Sequence, residues 1–140
     1  MYNILFINNK NKQKHKIENV ECADTYIKRL LGLMMKKKFN GLIFKQETQN
    51  RYNASIHTSF MKTPIDIIYI NNKMTIQEMK TLKAWKLYIP KYGNIKYIIE
   101  LPEKSIEKYH LEIEDKLVIE NEQKKKRQAQ KHYSNSNEHY

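Results

Sequence analysis

The run Ile65-Asp66-Ile67-Ile68-Tyr69-Ile70 constrains this chain more than any other stretch. It is dense in β-branched side chains, which fit a pleated strand better than a helix. Asn71-Asn72-Lys73 follows as a turn, since Asn tolerates positive φ. Met74, Ile76 and Met79 then continue on the far side, and the whole reads as a β-hairpin. Other short apolar runs join it. Asn3 to Ile7 and Ile17 to Cys22 flank a polar Asn- and Lys-rich turn and form a second hairpin. Leu42-Ile43-Phe44, Ser55 to Met61, Ile95 to Leu101 and Leu117-Val118-Ile119 supply further strands. Pro64 breaks the chain ahead of the central run, because proline cannot donate to a ladder. Gln46 to Tyr52 and Lys83 to Asn94 read as loops.

The period changes once. Asp24 or Thr25 can cap a helix, and Tyr26, Ile27, Leu30, Leu31 and Met34 follow as one apolar helical stripe. Gly32 sits inside that stripe at a cost of ~1 kcal/mol against Ala, which suggests close backbone approach or an early helix end. Lys36-Lys37-Lys38 suits the helix C-terminus. Pro102 opens a second, short helix through about Tyr109. The predicted fold is mainly β, a β-rich α+β domain. It is a compact antiparallel β-barrel or jelly-roll-like sandwich with one main helix near 25–35 and a short helix near 103–109.

At 140 residues and 40% hydrophobic content the chain holds one modest core. That excludes full disorder and a two-domain enzyme with a cleft between domains. The globular part spans 1–120. Residues 121–140 contain no Ile, Leu, Val, Met, Phe or Trp and read as a basic tail too polar to offset its ordering entropy. No uncharged apolar run reaches ~18 residues, so no spanning helix is expected, and no secretory signal is visible. One cysteine, Cys22, cannot form an internal disulfide and reads as a structural thiol, so a reducing, cytoplasmic setting is the expectation.

The formal charge is +11, and 23 of the 26 basic residues are Lys. Lys, Ile and Asn share AT-rich codons, so base composition accounts for much of this excess. The scarcity of Arg argues against bidentate recognition of phosphate or guanine. Basic charge is still concentrated. Residues 71–97 hold Lys73, Lys80, Lys83, Lys86, Lys91 and Lys96 against one Glu.

No Gly-rich phosphate loop and no His or Cys metal spacing is present, so no cofactor and no metal are expected. The stretch Arg29-Leu30-Leu31-Gly32-Leu33-Met34 resembles the R-x-x-G-L-M signature of the domain-of-unknown-function family numbered 192. Gly41-Leu42-Ile43-Phe44 resembles that family's next strand, and residues 56–70 its central block. Lys83-Ala84-Trp85 and Ile98-Ile99-Glu100-Leu101-Pro102 resemble two later landmarks, in the same order and spacing. The resemblance covers about Val20 to Ile119. It implies the barrel or jelly-roll-like fold with one main helix, and no established activity. Three departures stand out. Asn71-Asn72 replaces an Asp and Gly turn, His110 replaces a Gly after the short helix, and Glu114-Asp115 replaces Gly-Asp before the last strand. Lost glycines imply positive φ on ordinary residues, or shifted turns.

His57 and Asp66 form the best polar pair. A buried carboxylate needs a partner, and backbone amides, Arg29 or His57 are the candidates for Asp66. Arg29 with Asp66 would make a structural brace of an Arg fork on a carboxylate. Trp85, beside Lys83 and Lys86, either stacks on a ligand or plugs one end of the fold. The first functional reading is a non-catalytic binding module, with a pocket around His57, Met61, Asp66 and Trp85 for a small ligand or peptide. The alternative is a nucleic-acid-binding protein using the lysines of 71–97, with weak, non-specific affinity. A hydrolase using His57 and Asp66 ranks third, because no nucleophile is recognisable. No membrane partner is expected, and the oligomeric state is left open.

Overall fold

The computed structural model describes residues 2–23, 40–58 and 63–121. Its elements in chain order are β1 (Tyr2–Ile7), β2 (Lys14–Ala23), β3 (Leu42–Thr48), a 3-10 turn (Arg51–Ala54) and β4 (Ile56–His57). There follow β5 (Ile65–Asn71), β6 (Ile76–Leu82), β7 (Leu87–Tyr88), β8 (Ile95–Pro102), α1 (Ser105–Lys108) and β9 (Lys116–Asn121). Seven strands form one sheet in the order β6-β5-β8-β3-β2-β1-β9, and β4 pairs separately with β7. The mainly β expectation stands. The main helix expected near 25–35 lies outside the described residues, and so does the expected tail 121–140 except for Asn121, which ends β9.

The sheet is open, which corrects the closed barrel and the two-layer jelly roll. Among the described residues its edges meet only where the β5–β6 turn passes β9. Thr75 bridges Lys116, the Ile76 amide donates to Asp115 O at 2.8 Å, and the Leu117 amide donates to Met74 O at 2.8 Å. The contact is made by the turn and by Ile76 at the very start of β6, whose carbonyl also accepts from the Glu114 amide at 2.9 Å, and it does not extend into a ladder. The sheet is also not wholly antiparallel. Glu21, Cys22 and Ala23 of β2 run parallel to Leu42, Ile43 and Phe44 of β3. A parallel pair needs a crossover of a dozen or more residues, and the chain from 24 to 41 has that length.

Both faces of the sheet are covered. Ile68, Ile70, Ile99 and Leu101 pack on one face with Ile4, Phe6 and Leu117. Ile65, Ile67, Tyr69 and Ile98 pack on the other with Leu42, Phe44 and Ile56. β5 therefore carries apolar residues at nearly every position instead of alternating. β6 is interrupted: Tyr69 pairs with Glu78 while the adjacent Ile70 pairs with Ile76. Gln77 is thus an extra residue, a bulge that switches the facing of everything beyond it. Ile76 and Met79 share one core face, and Glu78 joins Tyr69 on the other.

Pro102 ends β8 opposite Ile65 instead of opening a helix, as a proline at a strand end forfeits no interior bond. Helix α1 begins at Ser105, one residue after Lys104, whose φ is 69° and whose side chain makes no cap. Two of the family's missing glycines leave a direct trace. His110 has φ 51° and Glu114 has φ 77°, and in the hairpin the strain sits on Met74, φ 62°, rather than on the Asn pair. Each such residue costs roughly 1–2 kcal/mol relative to the right-handed conformation. Asn71 instead closes the hairpin with its side chain, whose Oδ1 accepts from the amides of Lys73 and Thr75 at 3.0 and 3.1 Å.

Candidate functional site

Asp66 is 1% exposed and lies on the face of β5 that carries α1. Its Oδ1 accepts from the Thr81 hydroxyl at 2.7 Å, and its Oδ2 accepts from the Ile106 amide at 2.8 Å. Thr81 is its direct cross-strand neighbour. Ile106 stands in the first turn of α1, where amides lack intrahelical acceptors. Asp66 is therefore a cap supplied from 40 residues away, in place of the one Lys104 cannot give. The Ser105 hydroxyl, donating to Pro102 O at 2.6 Å, secures the same junction.

The opposite face carries a different arrangement, built on Thr58. This residue is fully buried next to β4. Its amide donates to Lys86 O at 2.8 Å, and its carbonyl accepts from the Trp85 amide at 3.0 Å. Its hydroxyl donates to Lys83 O at 2.5 Å and accepts from the Lys86 amide at 2.9 Å. Four bonds thus hold the turn 83–86. Trp85 sits at its tip with φ 61° and is 63% exposed. A bulky residue in the left-handed region is a rare conformation, kept only where surrounding bonds impose it. Leu87 and Ile89 are exposed as well, while Tyr88 between them turns inward. The alternation is that of a strand with one outer side, so Leu87 and Ile89 face the same way beside Trp85.

Glu78 anchors the next stretch. Buried on the bulge-switched side of β6, its carboxylate accepts from the Tyr88 hydroxyl and, at 2.8 Å, from the Lys91 amide. Burial, the hydrogen bond to Glu78 and that carboxylate's charge push the Tyr88 hydroxyl up to about 12. The Lys80 ammonium lies 5.5 Å from the Tyr88 ring centre. The outcome is a firmly held connection, 83–91, presenting Trp85, Leu87 and Ile89 among the exposed Lys83, Lys86 and Lys91.

The four residues expected around one pocket are not all gathered. His57 pairs with Leu87 in the small β4–β7 sheet, next to the Trp85 turn. Its side chain, and Met61 and Arg29 entirely, lie outside the described residues. Asp66 lies on the far face of β5, with one oxygen given to Thr81 and the other to Ile106. Of the lysines read as a basic region, Lys80, Lys83, Lys86 and Lys91 surround the β6–β8 connection, whereas Lys73 sits in the β5–β6 turn. Lys96 leans on Tyr97 in β8, 6.0 Å from its ring centre. Sequence reasoning missed Thr58 and Glu78. A lone acid two positions from Ile76 was the available signal, but strict alternation gives Glu78 the wrong face until the bulge is known. Among the described residues no group of three or more metal-ligating side chains comes together, and no helix is long and apolar enough to cross a membrane.

Comparison with known proteins defines the class: a β-rich domain of an uncharacterised family. The family profile described as "Uncharacterized ACR", domain of unknown function 192, matches residues 6–119. The chain belongs to this family. A UPF0127 protein of Pyrococcus furiosus is 42% identical over 98 residues, covering 70% of this chain and 84% of its own length. One from Thermococcus sibiricus is 38% identical over 118 residues, 84% of this chain and 76% of that protein. Among solved structures, a Sinorhizobium meliloti protein described as a "putative transcription regulator" superposes with a TM-score of 0.71 at 18% identity. It covers 84% of this chain and 92% of that one. A protein of unknown function from Novosphingobium aromaticivorans gives 0.67 at 15% identity, covering 83% of each chain. At these identities the structural likeness is one of fold.

Proposed function

We propose that this protein is a non-catalytic binding module that takes an acidic, partly apolar peptide segment on the Trp85 turn. The observation that carries the reading is Trp85 itself, strained at φ 61°, exposed, and fixed by the buried Thr58. Strain of this kind concentrates at functional sites, where the surrounding structure over-determines it. An exposed Trp, Leu and Ile held on a preordered turn give apolar contact at little entropic cost. Lys83, Lys86 and Lys91 around them favour a negatively charged partner and steer its approach. A reducing, cytoplasmic setting goes with this reading, on the single cysteine.

Trp85 is the only Trp of the chain, so its fluorescence reports the site directly. The test titrates the protein with a short synthetic peptide of alternating Glu and Leu, and in parallel with single-stranded oligonucleotides. Peptide binding that shifts Trp85 emission to the blue, and that is lost from a labelled peptide with Trp85→Ala and Leu87→Ser, supports the proposal. Equal peptide affinity in wild type and Trp85→Ala refutes it. Oligonucleotide affinity tighter than micromolar at ~150 mM salt, with no peptide binding, replaces it with the nucleic-acid reading, which the same lysines favour.

A further inference from the structure

A separate hollow of about 600 Å³ opens between the β5–β6 turn and the segment 91–94. It is broad and largely open to solvent, with a volume in the range of small-molecule sites. The segment that forms one wall is held rigidly. The Lys91 amide is bound to Glu78, the Gln77 Nε2 donates to Gly93 O at 2.8 Å, and the Asn94 amide donates to Gln49 O at 3.4 Å. Gly93 is required there, because a Cβ would stand 2.0 Å from Gln49 O. The hollow is therefore formed before any ligand arrives.

Its chemistry is specific in kind. Lys91 and Glu114 oppose each other in charge, so neither an anion nor a cation is favoured as a class. The polar groups divide between donors and acceptors. Asn71 commits its oxygen to the hairpin turn and keeps its NH2 for a ligand, while Gln77 commits its NH2 to Gly93 and keeps its oxygen. Asn94 offers both. A hydroxyl also both donates and accepts, so a ligand rich in hydroxyls matches this set. The one large apolar surface is Tyr92, 59% exposed at the rim. A single ring beside many amides suits the C–H face of a pyranose, with the ring edges left for hydrogen bonds. Two lining residues, Asn94 at φ 57° and Glu114 at φ 77°, hold left-handed conformations. We infer that this hollow is a binding site for a neutral saccharide, with Tyr92 as its stacking platform.

The site shares Lys91 with the surroundings of the Trp85 turn but none of Trp85, Leu87 and Ile89, and the test separates the two. Saturation-transfer NMR and calorimetry are run with maltotriose, cellotriose and triacetylchitotriose against the full chain. At least one of the three binds saturably. Tyr92→Ala weakens that binding by roughly tenfold or more, Tyr92→Phe keeps it, and Trp85→Ala leaves it unchanged. Glu114→Gly, which removes the carboxylate and relaxes the backbone, weakens binding without loss of fold. Failure of all three sugars to bind overturns the inference, as does binding that survives both Tyr92→Ala and Glu114→Gly.

Discussion

Replacing Asp66 by Ala removes the acceptor that holds α1 to the sheet. Two bonds are lost, and they are unequal. The Ile106 amide is half-buried in the first turn of a short helix, with no side-chain cap of its own. A hydrogen bond from such a donor to a carboxylate contributes about 1.5–3 kcal/mol. Thr81 is exposed, so its hydroxyl recovers water and its loss adds less than ~1 kcal/mol. Removing a buried charge also relieves part of its desolvation cost. The net expectation is a loss of about 2 kcal/mol, or roughly 8 °C in Tm for a domain of this size. Asp66→Asn separates geometry from charge. Its oxygen can still accept from Ile106, while its NH2 meets the Thr81 hydroxyl, which rotates to accept. That variant should lose only about 1 kcal/mol. Urea denaturation followed by circular dichroism measures both, with the slope checked for constancy so that midpoints compare stabilities. Asp66→Ala with the wild-type midpoint would refute the reasoning, as would an Asn variant as unstable as the Ala variant.

Thr58→Ala should destabilise by about 1–2 kcal/mol, since the Lys86 amide loses its buried acceptor. It should also lower the fluorescence anisotropy of Trp85, and an unchanged anisotropy would show that Thr58 does not hold the turn. Tyr88 is protonated in the folded state up to about pH 12 but only to its ordinary value of 10.0 when unfolded. The unfolded chain therefore loses its proton first, and stability falls as pH rises from about 10 to about 12. Tyr88→Phe should lack that portion of the decline, measured as the difference between two stability profiles. His110→Gly and Glu114→Gly, both exposed and left-handed, should each raise stability by about 0.5–1 kcal/mol, because relief of strain outweighs the added freedom of the unfolded chain. Thermal melts of the two single variants and the double variant test this, and a fall in Tm for both would contradict it.

The strands were readable where burial imposed a pattern. Ile65 to Ile70, with four Ile in six residues between Pro64 and an Asn turn, favours a strand, whereas Ile95, Ile98 and Ile99 also fit a helical spacing and take their strand from pairing with β5 and β3. The missing glycines were readable in the same way: His110 and Glu114 carry the positive φ that the family's pattern requires. Features set by pairing were less accessible. The parallel β2–β3 contact follows from which strand is neighbour to which, and no local period encodes that. The two-residue β7 is too short to carry a period at all. Glu78 was hidden by one extra residue, Gln77, which reverses facing over the rest of β6. Asp66 was identified as a buried acid needing a partner, with backbone amides, Arg29 or His57 as the candidates. It accepts from a backbone amide, that of Ile106, and from the Thr81 hydroxyl, and neither which amide nor the cross-strand neighbour can be told from side-chain identity.

The first and last strands of the described fold are neighbours, with Tyr2 opposite Asn121 and Ile7 opposite Lys116. During synthesis β1 leaves the ribosome first, yet half of its hydrogen bonds must wait for the final strand to emerge. Until then its outer edge is an open template for another nascent chain. Assembly of this sheet can be completed only after translation has passed residue 121. The same adjacency puts residues 2 and 121 side by side, so that a circular permutant of 2–121, joined there by a short linker and opened in the exposed 9–13 turn, would bring β9 and β1 together as a local hairpin. In that order of elements a pairing that spans nearly the whole described chain becomes a local one.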